Sequence, residues 1–184
     1  MVVVHHDPVL HVEGGAGGPT RRIADLAAAD LARFPLVPGV PLPTLQEALD
    51  AIGDRVTVYV EIKAENIEPL VVRCIRESST LCAVHSFDHR IVLNVKKIFP
   101  AIRCGVLQVA RHVDPVASLV ATGAEDLWQH VDYIDEDLVS RAHAIGASVV
   151  AWTANDPTLW RGLYAIGVDA LCTDRVGELA ASEW

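Results

Sequence analysis

The chain has 184 residues, 51% of them hydrophobic, and a formal net charge of -9; its mean hydropathy is +0.30 and its isoelectric point is near 5.2. That length suits one domain with one sizeable core. The acidic balance argues against a nucleic-acid ligand, because neutralising phosphates takes clustered Lys and Arg, but it leaves a small anionic substrate open, since a local metal or Lys outweighs a distant negative surface.

The chain opens on MVVVHHDPVL, a bare apolar run that ends in His5, His6 and Asp7 and reads as a strand with its mouth. Residues 8–43 follow as an excursion over that mouth. HVEGGAGGP and PLVPGVPLP are loop chemistry, and RRIADLAAADLARF between them reads as a short Ala-rich helix. Beyond it, TLQEALDAIG carries a Thr44 cap, Glu47 at the capping-box position and a terminal Gly53.

From there two kinds of segment alternate. Strand-like runs are VTVYVEIK, LCAVHSF, RCGVLQV, DLWQHV, SVVAWTA and DALCTD. Several are apolar on both faces, as parallel strands covered on both sides should be. Between and after them come NIEPLVVRCIRE, DHRIVLNVKKIF, DPVASLVATG, DEDLVSRAHAIG, DPTLWRGLYAIG and RVGELAASEW. Many open on Asn or Asp and close on Gly, as helix caps require. This is the rhythm of an α/β barrel or a doubly wound sheet, with six βα units from VTVYVEIK onward. The whole chain, 1–184, reads as one domain. The four cysteines, Cys74, Cys82, Cys104 and Cys172, form no C-x-x-C pair, which points to reduced thiols and a cytoplasmic setting. No secretory signal and no membrane-length apolar run are expected.

Five strand ends hold the candidate residues. Glu61 and Lys63 lie two apart in VEIK, so on a strand both face one side. They are either a buried ion pair or a functional pair, in which Glu61 holds Mg²⁺ or Ca²⁺ through oxygen and Lys63 grips a phosphate. His6 is either a polar strand end or a general acid or base; His5 alternates to the other face. In HSFDH, Ser86 reads as a helix cap, and Phe87 either lines a pocket or fills the core. Trp152 in AWTAND is a candidate apolar wall, with Thr153 and Asn155 as caps, and Asp174 in CTDR reads as an N-cap. His11, His85, His89, His112, His130 and His143 show no metal-ligand spacing and read as structural or solvated.

Taken in order, VVVHHDPVL, LPTLQEALDAI, VYVEIKAEN, HSFDH, VVAWTAND and GVDALCTDR resemble the glycerophosphodiester phosphodiesterase family across essentially the whole chain. The resemblance implies a TIM barrel enzyme that hydrolyses glycerophosphodiesters to an alcohol and glycerol 3-phosphate with a divalent metal, Mg²⁺ or Ca²⁺. It implies His6 as a catalytic acid/base, Glu61 as a metal ligand, Lys63 as a phosphate contact and Trp152 as a pocket wall. Phe87 is the further substrate-binding candidate. The family also has a first strand ending in His-Arg-Gly and a later strand carrying Glu-x-Asp, and neither motif occurs here. The expectation is therefore a (β/α)8-type barrel truncated at its N-terminus. It lacks the first two strands and opens on the second arm of a hairpin. Two functional readings follow: a metal-dependent phosphodiesterase impaired by the missing segments, or a non-catalytic barrel remnant. An open sheet edge on either would favour self-association.

Overall fold

The computed structural model describes residues 1–11, 20–31, 34–35 and 40–182. The chain divides into two compact units, Met1–Cys82 and Ala83–Trp184.

The first unit begins with a departure from the sequence reading. Met1–His6 forms no continuous strand. Val3 makes one isolated antiparallel bridge to Thr44. Around it, the Val4 amide donates to Pro43 O at 2.9 Å and the Leu45 amide to Val2 O at 3.0 Å. The apolar run finds the turn before a helix as its partner, and a turn is too short to extend the pairing. The excursion also folds differently from expectation. β1 (Val9–His11) pairs antiparallel with β2 (Thr20–Arg22), setting Val9 opposite Arg22 and Leu10 opposite Arg21. A 3-10 turn at Ile23–Asp25 and the four-residue α1 (Ala28–Leu31) follow. The expected longer helix is broken because its first residues are spent on the hairpin. Buried Leu10, Leu31 and Leu42 make a small core of their own, with Val3, Ile23, Leu26 and Phe34 packed against it. The VEGGAGG turn and most of the LVPGVP loop lie outside the described residues.

Next comes α2 (Leu45–Ile52), which starts as the sequence requires. The Glu47 amide donates to Thr44 Oγ1 at 3.2 Å, and the Thr44 amide donates to Glu47 Oε2 at 2.8 Å. Leu45 and Leu49 turn inward, and Leu49 is fully buried. β3 (Val58–Glu61) and α3 (Glu68–Glu77) complete the unit; α3 buries Val71, Val72 and Ile75.

The second unit is regular. β4 (Cys82–Ser86), β5 (Arg103–Gln108), β6 (Asp126–His130), β7 (Ser148–Trp152) and β8 (Ala170–Leu171) are parallel neighbours in chain order. They alternate with α4 (His89–Ile98), α5 (Ala117–Thr122), α6 (Glu136–Ala144), α7 (Pro157–Ala165) and α8 (Val176–Ala180). Counted along the chain from β3, the described residues hold the six βα units the sequence predicts. Asp88, Asp135 and Asp156 cap α4, α6 and α7 by accepting backbone N–H bonds, while α5 and α8 start without a side-chain cap. Val84, Val106, Leu127 and Val149, one from each of four adjacent strands, are all fully buried.

Gly105 is required by close approach: a Cβ there would stand 2.8 Å from Trp128 Cδ1. The Trp128 ring in turn meets His85 edge-on, with centroids 4.4 Å apart. Fully buried Asp126 accepts from Arg103 Nε at 2.8 Å and also pairs with Arg103 Nη2. The four cysteines are free, and burial pushes the Cys104 thiol up to about 12. No helix among the described residues is long and apolar enough to cross a membrane.

Candidate functional site

The predicted residues fall into two groups, one in each unit. In the first unit β3 ends at Glu61, and Lys63 stands just beyond it. Lys63 Nζ lies 3.6 Å from Glu61 Oε2, and the two side chains are 37% and 28% exposed. The two charges therefore sit side by side, as the two-residue spacing predicts, but neither is sealed into a core. Lys63 Nζ also donates to His6 O at 2.9 Å. That bond ties the opening segment to the end of β3 across 57 positions of sequence.

His6 itself reaches into solvent, its side chain 87% exposed. Its Nδ1 lies 2.8 Å from Asp7 Oδ1. An ionised carboxylate only accepts, so this contact places the ring proton on Nδ1 and leaves Nε2 as the basic nitrogen. The hydrogen bond from His6 holds the Asp7 carboxyl below its ordinary value. His5 turns to local work. Its Nδ1 lies 3.1 Å from the Asp7 amide nitrogen and 2.8 Å from the Asp7 carbonyl oxygen, which tightens the bend at residues 5–7.

Among the described residues no three His, Cys, Asp or Glu side chains gather as a metal site. Ca²⁺ takes about six to eight oxygen ligands, and Mg²⁺ needs a near-ideal octahedron. Glu61, with an ammonium group at its side, supplies one carboxylate and does not by itself fit either ion.

In the second unit Trp152 closes β7 and Phe87 follows β4. Their rings meet edge-on at 5.3 Å, and Phe87 is 49% exposed. Phe87 is thus not a core residue. The structure adds His130, the last residue of β6 and the register partner of Trp152. Its ring lies 5.2 Å from the indole at 87° and 5.9 Å from Tyr133. The sequence alone places His130 among the structural or solvated histidines. The signal it offered was its place two residues after Trp128 on the same strand, and only the β6–β7 register turns that into contact with Trp152. Asn155 and Asp174 are partners, not caps. Asn155 Nδ2 donates to Asp174 Oδ2 at 2.7 Å, and Asn155 Oδ1 accepts from the Asp174 amide at 2.9 Å. Ser86 Oγ accepts from the Asp88 amide at 3.1 Å, just ahead of α4.

The chain matches the model of the glycerophosphoryl diester phosphodiesterase family over residues 1–178. It is 25% identical over 189 aligned positions to a glycerophosphodiester phosphodiesterase of Caldanaerobacter subterraneus subsp. tengcongensis, covering 95% of this chain and 76% of that protein. An Oleispira antarctica phosphodiesterase, solved with the product sn-glycerol-3-phosphate, is similar in fold with a TM-score of 0.83 at 23% identity. That match covers 97% of this chain and 78% of the other. A glycerophosphodiester phosphodiesterase of Thermotoga maritima aligns with a TM-score of 0.75 at 19% identity, over 97% and 78% of the two chains. These likenesses make the fold α/β of the TIM-barrel type.

Proposed function

The chain belongs to the glycerophosphoryl diester phosphodiesterase family, and from that membership we propose that it hydrolyses glycerophosphodiesters to sn-glycerol 3-phosphate and an alcohol. The Oleispira relative with that product bound supports the same product class here. The observation that carries the assignment to particular residues is the bond from Lys63 Nζ to His6 O. It ties the Lys63 side chain to the backbone of His6, which supports reading the two residues as parts of one site.

In this reading Lys63 binds the substrate phosphate as a point charge, using protons not engaged by His6 O. An oxygen nucleophile forms a bond to phosphorus while the bond to the leaving alcohol breaks. His6 Nε2 handles one of the two protons involved, taking it from the attacking hydroxyl or returning it to the departing oxygen. Asp7, bonded to Nδ1, holds the ring in that tautomer and stabilises the imidazolium that forms. Trp152 and Phe87, in the second unit, are read separately as candidate contacts for the organic part of a substrate. Glu61 is the residue of this group that would offer a carboxylate to a divalent ion, Mg²⁺ or Ca²⁺. The free thiols support a reducing, cytoplasmic compartment. β8, two residues long and exposed at Ala170, is the edge through which copies of the chain would associate.

The test is release of sn-glycerol 3-phosphate from glycerophosphocholine by the 184-residue chain, with Mg²⁺ or Ca²⁺ and with EDTA. Release that EDTA abolishes and that Glu61→Ala removes is the expected result. No release from folded chain, with any of several glycerophosphodiesters, would favour the non-catalytic reading.

A further inference from the structure

LPTLQEALDAI is one of the stretches that carry the family resemblance, yet it holds no residue of the proposed reaction. Its first residues lie against the opening segment. The Val4 amide donates to Pro43 O at 2.9 Å, the Leu45 amide donates to Val2 O at 3.0 Å, and Val3 bridges Thr44 between them. Leu45 is the first residue of α2, so its N–H has no acceptor inside the helix. Here that spare donor holds another part of the chain. His6 follows two residues after Val4. Downstream of it, the Ile23 amide donates to Pro8 O at 3.0 Å. His6 therefore sits between two backbone anchors, with the Lys63 bond to its carbonyl as a third hold. Its largely exposed side chain adds little packing of its own.

Glu47 sets the shape of the upstream anchor. One oxygen, Oε2, accepts from the Thr44 amide at 2.8 Å and from Thr44 Oγ1 at 2.8 Å. The amide bond, aided by the hydroxyl bond, holds the Glu47 carboxyl below its ordinary value, so the acceptor is ionised at neutral pH. The Thr44 N–H and the Pro43 carbonyl belong to one planar peptide unit. A bond that fixes the N–H therefore also fixes the carbonyl that Val4 uses. Thr44 is held extended, at φ -74° and ψ 159°, which in turn orients the Leu45 N–H that Val2 uses. The two halves of the capping box thus act differently. Thr44 Oγ1 accepts from the Glu47 amide and starts α2. The Glu47 carboxylate returns to the Thr44 backbone and fixes the turn on which the opening segment lies.

We infer that Glu47 is a positioning residue for His6: through the Thr44 backbone it sets the Pro43–Leu45 turn, and that turn aims the segment carrying the imidazole. The inference rests on the reading of His6 as the proton-transfer group and adds the residue that places it.

The experiment follows turnover of glycerophosphocholine and the NMR signals of the His6 imidazole on the intact chain. Glu47→Ala is expected to lower kcat about ten- to a hundred-fold with little change in KM, the scale of a misplaced reacting group. Glu47→Gln keeps a carbonyl oxygen for the same two bonds and should recover most of that loss. Thr44→Ala weakens the same helix start but keeps the Thr44 amide and its bond, so it should lower kcat far less than Glu47→Ala. A merely structural role is separated by a double-mutant cycle. In a His6→Ala background, Glu47→Ala should change kcat by less than about twofold, while shifting the urea midpoint as far as it does in the unmodified chain. Equal kcat in Glu47→Ala and Thr44→Ala overturns the inference, as does a full Glu47→Ala loss in the His6→Ala background. The NMR signals separate these outcomes from failure of the proposed reaction. His6 signals that move in Glu47→Ala and return in Glu47→Gln, with no ester hydrolysed, leave the placement of His6 standing and remove the reaction. Hydrolysis with His6 signals unmoved in Glu47→Ala does the reverse.

Discussion

In Ala83–Trp184, β5 buries five of its six residues and β6 four of its five, whereas in Met1–Cys82 all four residues of β3 are only half-buried. The second unit caps three of its five helices with Asp and buries a Val and Leu layer on its strands. The first relies on a short hairpin, one isolated bridge and a three-leucine core. Yet the first unit holds the acid/base and phosphate candidates, while the second contributes aromatic surface. Proton and phosphate chemistry needs charged groups that water and substrate can reach. Such groups do not build a core, so the half that carries them is the less regular one.

The largest expected effect lies on the chemical side of that contrast. His6→Ala should lower turnover by about 10²- to 10⁴-fold, the usual range for a lost general acid or base. Because the His6 side chain is 87% exposed, its removal should move stability by no more than about 0.5 kcal/mol. Steady-state kinetics and a urea melt on one preparation give both numbers. A change confined to KM would take the proton-transfer role away from His6.

The second unit should answer in the opposite sense. Leu127 is fully buried on β6, and Leu127→Ala should cost about 2–5 kcal/mol in lost burial and cavity. Equilibrium urea unfolding measures it, and a loss below about 1 kcal/mol would show a core loose enough to collapse around the gap.

These two residues were not equally legible from sequence. Leu127 sits in the short strand-like run DLWQHV, and the run became β6. The same holds for the caps at Thr44, Asp88, Asp135 and Asp156, since capping depends on residues within one turn. Glu61 and Lys63 came together for the same local reason. His6 was found by its neighbour Asp7, but its strand was not real: Val2–Val4 has strand composition and only a turn to pair with. Arg21 and Arg22 look helical and are drawn into a hairpin by Val9 and Leu10. His130 was missed because its meaning lies in which strand runs beside it. In each case composition was overridden by a partner distant in sequence, which no local pattern records.

A smaller effect tests the irregular unit from its most regular element. Thr44→Ala removes the Oγ1 acceptor of the α2 capping box and should cost about 1 kcal/mol. The Val3 bridge lands on the same residue through its backbone, which the substitution leaves in place. A loss much above about 2 kcal/mol in a urea melt would mean that the cap also holds the opening segment.

The finest distinction concerns charge at the second unit's caps. Asp88 accepts from the Arg90 amide at 3.0 Å and from the Arg90 guanidinium at 2.6 Å. The Arg90 side-chain hydrogen bond, aided by the backbone bond, holds the carboxyl at about 2, down from 3.8. A carboxyl whose folded value is depressed stabilises the fold above its unfolded value and loses that contribution as pH falls through the folded one. The Asp88 contribution should therefore be complete above about pH 4 and fade toward pH 2. Asp88→Asn isolates it, because Asn caps a helix as well as Asp but carries no charge. The gap in melting temperature between the unmodified chain and Asp88→Asn should be steady from pH 7 to pH 5 and close as pH drops toward 2. A gap of the same size at both ends of that range would show that Asp88 acts through cap geometry alone, with its ion pair to Arg90 screened away by solvent.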